Sequence, residues 1–235
     1  MNHPRVCMTV DFEPDCPPYL RSTYRGITEG APRLLELFAD AKIPVTYFCT
    51  SEVAERFPMA VQAVVDCGHE LGCHGVTHTA FDTLTDHVAA EEIDQSARVL
   101  RGFASVTSFR APYLRFPNRF VPLLERAAFS LDSSQARYKR SFYANRVRTA
   151  LTRVPASMTS SVLRLPAVVR DPWLLRLSDP VVLFVHPWEF VDLRNTRLRY
   201  DCRFRTGPQA LASLQSVIQL FQRRGAEFLR MRELV

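Results

Sequence analysis

Residues 6–14 of this 235-residue chain read VCMTVDFEP, an apolar and partly β-branched run that ends in two acids and a proline. Such a run predicts a buried strand from Val6 to Phe12, which the proline ends. Side chains alternate between the two faces of a strand, so Asp11 and Glu13 share one face and can reach a common site. These acids can equally just solvate the strand end, and the stretch alone leaves both interpretations open.

The same arrangement recurs along the chain, because further apolar runs end in polar residues and alternate with helical patterns. Runs separated by helices of about 10–15 residues predict an α/β fold with a parallel sheet. No linker or repeat divides residues 1–235, which predicts a single domain of the barrel type. The further predicted strands are residues 44–49, 70–74, 106–109, 130–132, 162–169, 180–185 and 227–229. Two predicted helices begin near Ile27 and Ser51. Four more cover residues 58–65, 86–100, 118–127 and 208–224.

The polar residues that follow these strands share one position in the predicted fold. In parallel α/β sheets, and in barrels above all, active sites form at the carboxyl ends of the strands. We therefore expect one site there, built from Asp11, Glu13, His74, His78, Arg110, Asp132 and His186.

Two histidines four residues apart form the sharpest motif, HGVTH at residues 74–78. Two imidazoles at this spacing can face one cation, and a catalytic zinc site adds a third ligand and keeps one position open for water. A carboxylate is the expected third ligand, and Asp11, Glu13 and Asp15 are the candidates. Histidines are also ordinary polar residues, so the pair needs partners before it indicates a metal.

Three more strand-end residues complete a hydrolytic set. Arg110 can hold a carboxylate through two parallel hydrogen bonds. His186 follows a wholly apolar strand and is placed for acid–base chemistry, with Asp132 as an orienting partner. The alternatives are a surface ion pair for Arg110, a structural role for His186 and an Asx turn at Asp132.

The composition is that of an ordinary globular protein, with 47% hydrophobic and 23% charged residues. The net charge of +6 comes almost wholly from arginine. Residues 133–170 are basic and lack acids, which predicts either a solvated surface or contact with an anionic membrane. No nucleic-acid motif accompanies this charge, so we expect no nucleic-acid partner. The stretch contains Arg137, Lys139, Arg140, Arg146, Arg148, Arg153, Arg164 and Arg170, interleaved with Phe142, Tyr143, Val147 and Leu151.

The N-terminal residues lack the basic start and the apolar run of about 7–15 residues that mark a signal peptide. No stretch approaches the ~18–20 apolar residues that cross a bilayer. The six cysteines form no CxxC pair, which favours buried, reduced side chains. We therefore expect a cytoplasmic protein, or one that lies peripherally on the inner face of the membrane.

Six blocks of the sequence resemble, in the same order, those of the polysaccharide deacetylases, the NodB-homology group of family-four carbohydrate esterases. The resemblance covers nearly the whole chain and implies that family's fold, a distorted barrel of seven or so βα units. The blocks are TVDFEPD at 9–15, VTYFCTSEVAERFP at 45–58, GHELGCHGVTH at 68–78, FRAPY at 109–113, LDSS at 131–134 and LFVHPWEF at 183–190.

The resemblance implies catalytic roles for five residues. Asp11 matches the catalytic base, and Arg110 matches the arginine that pairs with it. Tyr113 matches the residue whose backbone N–H helps to hold the oxyanion. His186 matches the general acid, and Asp132 lies near the place of the carboxylate that tunes it.

The resemblance also implies a metal site, with Zn²⁺ as the expected ion. His74 and His78 match the family's metal-binding histidines. The usual family has two adjacent aspartates, and Phe12 occupies the position of the second, so Glu13 is the expected third ligand and Asp15 the fallback. The residues expected to contact substrate are Trp188 and Pro112.

The implied function is a metal-dependent hydrolase that removes an acetyl or formyl group from an amino sugar. A block at residues 24–34 is similar to deformylases of a polyprenyl-phosphate-linked amino sugar, which would bring the substrate to a membrane surface. Alternatives are an esterase acting on O-acetyl sugars, a metal-independent ureide hydrolase and a non-catalytic carbohydrate-binding relative. The sequence leaves the metal, the acyl group and the oligomeric state open.

Overall fold

The computed structural model describes residues 3–20, 22–140 and 147–235. Among these residues, eight strands form one sheet in which all pairings between strands are parallel. The strands are β1 (Arg5–Phe12), β2 (Val45–Cys49), β3 (Glu70–Cys73), β4 (Ser108–Phe109), β5 (Leu131–Asp132), β6 (Thr152–Arg153), β7 (Val181–Val185) and β8 (Glu227–Phe228). Seven of them follow the order β6-β5-β4-β3-β2-β1-β7, and β8 pairs with the start of β1.

The central strand is β1, which lies between β2 and β7 and is buried after its first residue. Burial on both faces explains why this strand is almost continuously apolar. The ends of the strand order meet just after β6, where the Ser157 N–H donates to the Val182 carbonyl at 2.8 Å. The Ser157 hydroxyl in turn accepts from the Val182 N–H at 2.9 Å. These bonds close the curled sheet, which confirms the predicted barrel.

Helices follow the strands, as the alternating pattern predicts. Thr50 and Thr85 cap two of them, because each hydroxyl accepts the N–H three residues later. The helices are α1 (Ala31–Ala41), α2 (Ser51–Arg56), α3 (Pro58–Asp66), α4 (Asp86–Leu100), α5 (Val121–Arg126), α6 (Ser160–Leu163), α7 (Ala167–Leu174), α8 (Tyr200–Arg203) and α9 (Pro208–Arg223). Short turns of 3₁₀ type cover Phe81–Thr83, Pro112–Leu114, Asn118–Phe120, Pro187–Phe190 and Met231–Leu234, and a π-helical turn covers Gly26–Gly30.

The predicted strand at residues 162–169 is wrong, because this segment belongs to α6 and α7. Leu163, Arg170 and Leu174 are buried while Val168 is 83% exposed, which is the spacing of a helix with one inward face. The strand that follows β5 is the two-residue β6. A strand this short has no periodicity that a sequence pattern can reveal.

The π-helical turn packs directly against the turn Pro187–Phe190. A Cβ on Gly30 would lie 2.0 Å from the Pro187 carbonyl oxygen, and one on Gly26 would lie 2.5 Å from the Trp188 nitrogen. Only glycine allows two backbones to approach this closely. The block at residues 24–34 therefore has a structural reason for its glycines, which is to support the turn that follows His186.

The basic stretch at residues 133–170 makes mostly internal contacts. Arg153 and Arg164 form ion pairs with acids inside the protein, and Arg170 is 1% exposed. Arg137 donates to the Ser178 carbonyl, and Lys139 donates to the Tyr113 carbonyl. Five of the eight basic residues thus have partners within the fold, which removes the main support for a membrane-binding surface.

The apolar residues of the same stretch fall into two groups. Leu151 is buried and Val147 packs against the core. Phe142 and Tyr143 lie outside the described residues, as does the basic residue Arg146. In the described ranges, no helix has both the length and the apolar character needed to span a membrane.

All six cysteines are free thiols, and four of them are buried, in agreement with the expectation from the sequence.

Candidate metal centre and active site

Three buried side chains converge at the carboxyl ends of β1 and β3. The Glu13 Oε2 lies 2.5 Å from the His78 Nε2 and 3.4 Å from the His74 Nε2. One ligand atom from each residue lies within 4.8 Å of the others, and each residue is at most 4% exposed. Of the three acids considered as third ligand, the fold brings Glu13 to the histidine pair.

The chemistry of this cluster fits a divalent cation. In the part of the chain that the structure describes, the geometry of these contacts leaves the buried Glu13 Oε2 and His74 Nε2 without a hydrogen bond. Buried polar atoms without partners are costly, and a cation would satisfy both. The His74 Nδ1 lies 2.7 Å from the Arg110 carbonyl, so Nδ1 carries the hydrogen and Nε2 presents its lone pair to the cluster. Two imidazoles and one carboxylate are a typical catalytic zinc set.

Glu13 is held in the charged form that binds cations. Burial raises the pKa of this carboxyl, but the nearby His78 and His186 outweigh burial and hold the pKa well below its ordinary value. The Trp188 Nε1–H also points to the Glu13 Oε1 at 3.4 Å. Glu13 thus contacts the histidine pair through one oxygen and the tryptophan through the other.

Phe12 and Asp15 have structural roles instead of ligand roles. The Phe12 ring is fully buried and meets Tyr47 edge to face at 5.6 Å, so the strand alternation returns the next acid, Glu13, to the face of Asp11. The Asp15 carboxylate accepts the N–H groups of Arg25 and Gly26 at 2.8 and 2.7 Å. Asp15 therefore holds the start of the π-helical turn and lies outside the cluster.

The expected pair of Asp11 and Arg110 forms in the structure, through one hydrogen bond and not through the two parallel bonds that the sequence predicted. The Arg110 Nη1 donates to the Asp11 Oδ1 at 2.6 Å and also to the Thr9 hydroxyl at 2.8 Å. Its Nη2 donates to the Ser133 hydroxyl at 3.0 Å, and the guanidinium lies 4.2 Å from the centre of the Phe48 ring. Arg110 is fully buried, so Asp11 supplies the opposite charge that a buried guanidinium requires.

His186 faces the two acids of β1 across the pocket. Its Nε2 lies 3.9 Å from the Asp11 Oδ2 and 3.8 Å from the Glu13 Oε1, and its ring stacks on Trp188 at 5.0 Å. Burial lowers the pKa of this imidazole, but Glu13 and Glu189 outweigh burial and raise the pKa to about 9. These carboxylates favour the protonated form of His186, which is the form that can donate a proton.

The carboxylate that contacts His186 is Glu189, where the sequence led us to expect Asp132. The Glu189 Oε1 lies 2.7 Å from the His186 Nδ1, and its Oε2 lies 2.8 Å from the Nε of Arg164, which is 3% exposed. Burial raises the pKa of Glu189, but Arg164 and His186 outweigh it and lower the pKa below its ordinary value. The three residues form one chain of alternating charge, in which Arg164 and Glu189 are buried and His186 is partly exposed to the pocket.

Asp132 lies at the end of β5 as predicted, but it faces another partner. Its Oδ2 accepts from the Arg153 Nε at 2.9 Å, and its Oδ1 accepts from the Ser134 N–H at 2.8 Å. The second bond is the Asx turn that the sequence offered as the alternative. The expected contact with His186 is wrong, because β5 directs this carboxylate towards β6.

The turn after Arg110 places Tyr113 beside the cluster. Tyr113 has a φ of 58° and a ψ of 9°, and its ring meets His78 edge to face at 4.5 Å. Pro112 is buried at the start of this turn. Six of the predicted residues line one common pocket: Asp11, Glu13, His78, Tyr113, His186 and Trp188.

Sequence reasoning missed four residues that touch the site: Thr9, Ser133, Arg164 and Glu189. Glu189 follows His186 by three residues in a helical turn, which is capping-box spacing and a signal that points to it. Arg164 gives no such signal, because it lies 25 positions away from Glu189 and meets it only in the folded chain.

Comparison with known proteins places these residues in a family context. A family model described as polysaccharide deacetylase matches residues 1–131. A peptidoglycan deacetylase of Helicobacter pylori is 31% identical over 107 residues, which is 45% of this chain and 36% of that protein. A chitooligosaccharide deacetylase of Sinorhizobium fredii is 28% identical over 85 residues, 35% of this chain and 40% of that protein. The matched parts thus span well under half the length of these relatives.

Solved structures show the same fold. A structure described as a putative polysaccharide deacetylase from Mycobacterium smegmatis superposes with a TM-score of 0.70 at 16% identity, covering 99% of this chain and 88% of that one. A family 4 carbohydrate esterase from Streptomyces lividans gives a TM-score of 0.65 at 17% identity, covering 97% and 93%. At this identity the likeness concerns the fold alone.

Proposed function

Because the chain belongs to the polysaccharide deacetylase family, we propose that it is a metal-dependent hydrolase that removes an N-acyl group from an amino sugar. One observation carries this proposal. The cluster of Glu13, His74 and His78, the carboxylate of Asp11 and the imidazole of His186 converge on one site, most of whose members line a common pocket. A metal site, a base and an acid are the parts that amide hydrolysis at neutral pH requires.

Glu13, His74 and His78 would hold a divalent metal such as Zn²⁺. When bound, such an ion polarises the acyl carbonyl and lowers the pKa of a water molecule at the site. Trp188 supports this role, because its N–H contacts the Glu13 oxygen that faces away from His78.

Asp11 would take the proton from the attacking water. Its Oδ1 is held by Arg110, so the carboxylate has a fixed orientation and Oδ2 remains available to accept the proton. The new C–O bond forms at the acyl carbon, and the carbonyl oxygen becomes an oxyanion. The Tyr113 N–H would donate to this oxyanion, since no hydrogen bond among the described residues uses that N–H.

His186 would complete the reaction by protonating the leaving nitrogen. Its Nδ1–H is directed to Glu189, so the proton on Nε2 faces the acids across the pocket. Transfer of that proton allows the C–N bond to break with a neutral amine as leaving group. The products are the free amino sugar and the carboxylic acid of the acyl group.

An N-acetylated amino sugar is the substrate class that fits best. The relatives act, by name, on peptidoglycan and on chitooligosaccharides, both of which carry N-acetyl groups. We find no observation that favours a formyl group, a polyprenyl-phosphate-linked sugar or a membrane surface. A cytoplasmic location stays a prediction from the sequence.

The deciding experiment combines metal analysis of the purified protein with an activity screen. We expect about one divalent metal ion per chain and release of acetate from chitooligosaccharides or peptidoglycan fragments. A chelator should abolish activity and Zn²⁺ should restore it. Parallel assays with O-acetyl sugars and with allantoin test the esterase and ureide alternatives, and activity that survives metal removal would contradict the proposal.

The His186→Ala variant separates catalysis from metal binding. We expect it to keep its metal and lose activity by about 10²–10⁴-fold, the usual contribution of a general acid. The exposed His87→Ala variant is the matched control and should match the wild type. Full activity of His186→Ala would show that another group protonates the leaving amine.

A further inference from the structure

The turn Pro112–Leu114 holds an unusual backbone conformation next to the pocket. Tyr113 and Leu114 both have positive φ values, 58° and 51°. Side chains with a Cβ rarely adopt this left-handed region, and two such residues in succession need support from their surroundings. The turn carries the Tyr113 N–H, so whatever supports it also orients that donor.

Lys139 contacts both strained residues. Its Nζ donates to the Tyr113 carbonyl at 2.6 Å and lies 3.4 Å from the Leu114 carbonyl. An ammonium group has three donors and no acceptor, so one lysine can bind two carbonyls at once. The peptide plane of each carbonyl then has a fixed direction.

The segment that carries Lys139 is itself well anchored. The Arg137 N–H donates to the Ala156 carbonyl at 2.9 Å, and the Lys139 N–H donates to the Ala136 carbonyl at 3.0 Å. Earlier in the segment, the Ser134 hydroxyl accepts the Ala111 N–H at 2.8 Å. The segment therefore holds the loop after β4 at two points, before and within the turn.

The positive charge of Lys139 is not needed for an ion pair. Across the described ranges, no carboxylate lies within ion-pair distance of its ammonium. The ammonium lines the same pocket as Asp11 and His186. Only two of the 30 basic residues in the chain are lysines, and this one occupies the active-site wall. A compact ammonium fits between two adjacent carbonyls, whereas a guanidinium presents a wide planar fork.

We propose that Lys139 is a positioning residue, which binds the Tyr113 and Leu114 carbonyls and thereby directs the Tyr113 N–H into the pocket. This inference rests on the proposed function, in which that N–H donates to the oxyanion. Lys139 itself need not touch the substrate. Replacing Lys139 should leave metal binding and substrate binding unchanged and should reduce only the stabilisation of the transition state.

The test compares zinc-loaded wild type, Lys139→Ala and Lys139→Met on a chitooligosaccharide that the wild type deacetylates. We expect kcat of both variants to fall by about 10–100-fold with little change in KM, since an oxyanion donor contributes about 10²–10³-fold and is here displaced, not deleted. Metal content should stay at the wild-type level. Lys42→Ala, which removes the other lysine at an exposed site, is the matched control.

Rescue of activity by added small amines distinguishes a hydrogen-bonding role of Lys139 from a purely structural one. Ethylammonium should restore part of the kcat of Lys139→Ala, because it supplies N–H donors in the space that the side chain leaves. Tetramethylammonium has the same charge but no N–H group and should restore nothing. Wild-type kcat in both variants, or a matching loss of metal, would overturn the proposal.

A further measurement separates this inference from the proposed function. If the wild type deacetylates no substrate, the function fails, but the positioning claim is still decided by amide hydrogen exchange. The Leu114 and Arg115 N–H groups donate to the Ala111 and Pro112 carbonyls within the turn. These amides should exchange faster in Lys139→Met than in the wild type, and equal exchange would show that Lys139 does not hold the turn.

Discussion

The two halves of the barrel hold the site by different means. On one side, β1, β2, β3 and β7 contain eight, five, four and five residues, and their backbone hydrogen bonds fix the strand ends. On the other side, β4, β5 and β6 contain two residues each. We refer to the first group as the ladder half and to the second as the side-chain half.

In the side-chain half, bonds that involve side chains add to a short backbone ladder, in which the Ser133 N–H donates to the Phe109 carbonyl and the Val154 N–H donates to the Asp132 carbonyl. Arg110 reaches Ser133, the Ala111 N–H reaches Ser134, and Asp132 reaches Arg153. Most of these groups are buried. From this difference we infer that a polar residue at the site in the ladder half can be replaced without loss of folding stability. A polar residue in the side-chain half also stabilises the fold.

The largest expected effect concerns His78, a proposed metal ligand in the ladder half. His78→Ala should lose the metal and lower kcat/KM by about a thousandfold or more, since a catalytic metal supplies several kcal/mol of transition-state stabilisation. The fold should persist, because the β3 ladder does not depend on this side chain. Metal analysis, circular dichroism and deacetylation assays check this, with His87→Ala as control. Unfolding of the variant would contradict the contrast between the halves.

The next effect concerns the side-chain half. Asp132→Ala leaves the guanidinium of Arg153 partly buried without its ion-pair partner, so the free energy of unfolding should fall by about 3–5 kcal/mol. Metal affinity should not change. Urea unfolding measures the effect, and the double variant Asp132→Ala/Arg153→Met should recover much of the loss, since both charges are then absent.

The same variant distinguishes the structural role of Asp132 from the role that the sequence suggested. If Asp132→Ala keeps its stability and instead loses kcat as strongly as His186→Ala does, Asp132 acts on the general acid. The geometry predicts the opposite result, because Glu189 occupies that position.

A smaller effect is expected for Trp188 in the ladder half. Trp188→Phe keeps an aromatic ring beside His186 but loses the N–H that points to the Glu13 Oε1 at 3.4 Å. Metal affinity should fall by about tenfold, the lower end of the range for groups that hold a metal ligand. A metal-competition titration measures it, with Trp173→Phe as control, since Trp173 is the other tryptophan and is 48% exposed. An unchanged metal affinity would show that the Trp188 N–H does not help Glu13 to bind the metal.

The smallest effect lies at the chain end, where Glu233 caps the turn Met231–Leu234. The Arg230 side chain holds the pKa of Glu233 below its ordinary value, despite the opposing effect of burial. A depressed pKa contributes stability above the unfolded-state value of about 4.3 and loses it as the pH falls through the folded value. Glu233→Gln should therefore lower the free energy of unfolding by about 0.5–1 kcal/mol at pH 7.

The pH dependence is the critical part of this test. The difference between Glu233→Gln and the wild type should shrink as the pH falls below about 4. Urea unfolding at several pH values measures it. A difference that stays constant with pH would mean that charge at Glu233 does not stabilise the turn.

Much of the fold can be predicted from the sequence where elements are long. The apolar run of β1, the run of β7 and the helices α4 and α9 have enough residues for a period to show. The prediction fails at β6 and at α6 and α7, because a two-residue strand has no period and a short apolar run is ambiguous between strand and helix. The side-chain half is therefore the part that sequence patterns describe least well.

Some residues of the site can be predicted from the sequence, and others cannot. Most residues of the proposed site can be predicted, because they lie at or just after the end of a strand that is visible in the sequence. They are Asp11, Glu13, His74, His78 and His186. The partner of His186 cannot be predicted, because Asp132 and Glu189 both follow strands and only the direction of each side chain distinguishes them. Arg164 and Lys139 have no local signal, since each acts on a residue 25 or 26 positions away.

The sequence by itself determined the alternation of the longer strands and helices, the residue types of the proposed metal site and the face of β1 that carries two carboxylates. Those features depend on local periodicity and on side-chain chemistry, which are properties of short segments. Only the tertiary structure decided that Glu13 and not Asp15 meets the histidines, that Glu189 and not Asp132 holds His186, and that Lys139 supports the turn of Tyr113. Each of these depends on the closure of the barrel, which brings distant segments together in directions that no short segment specifies.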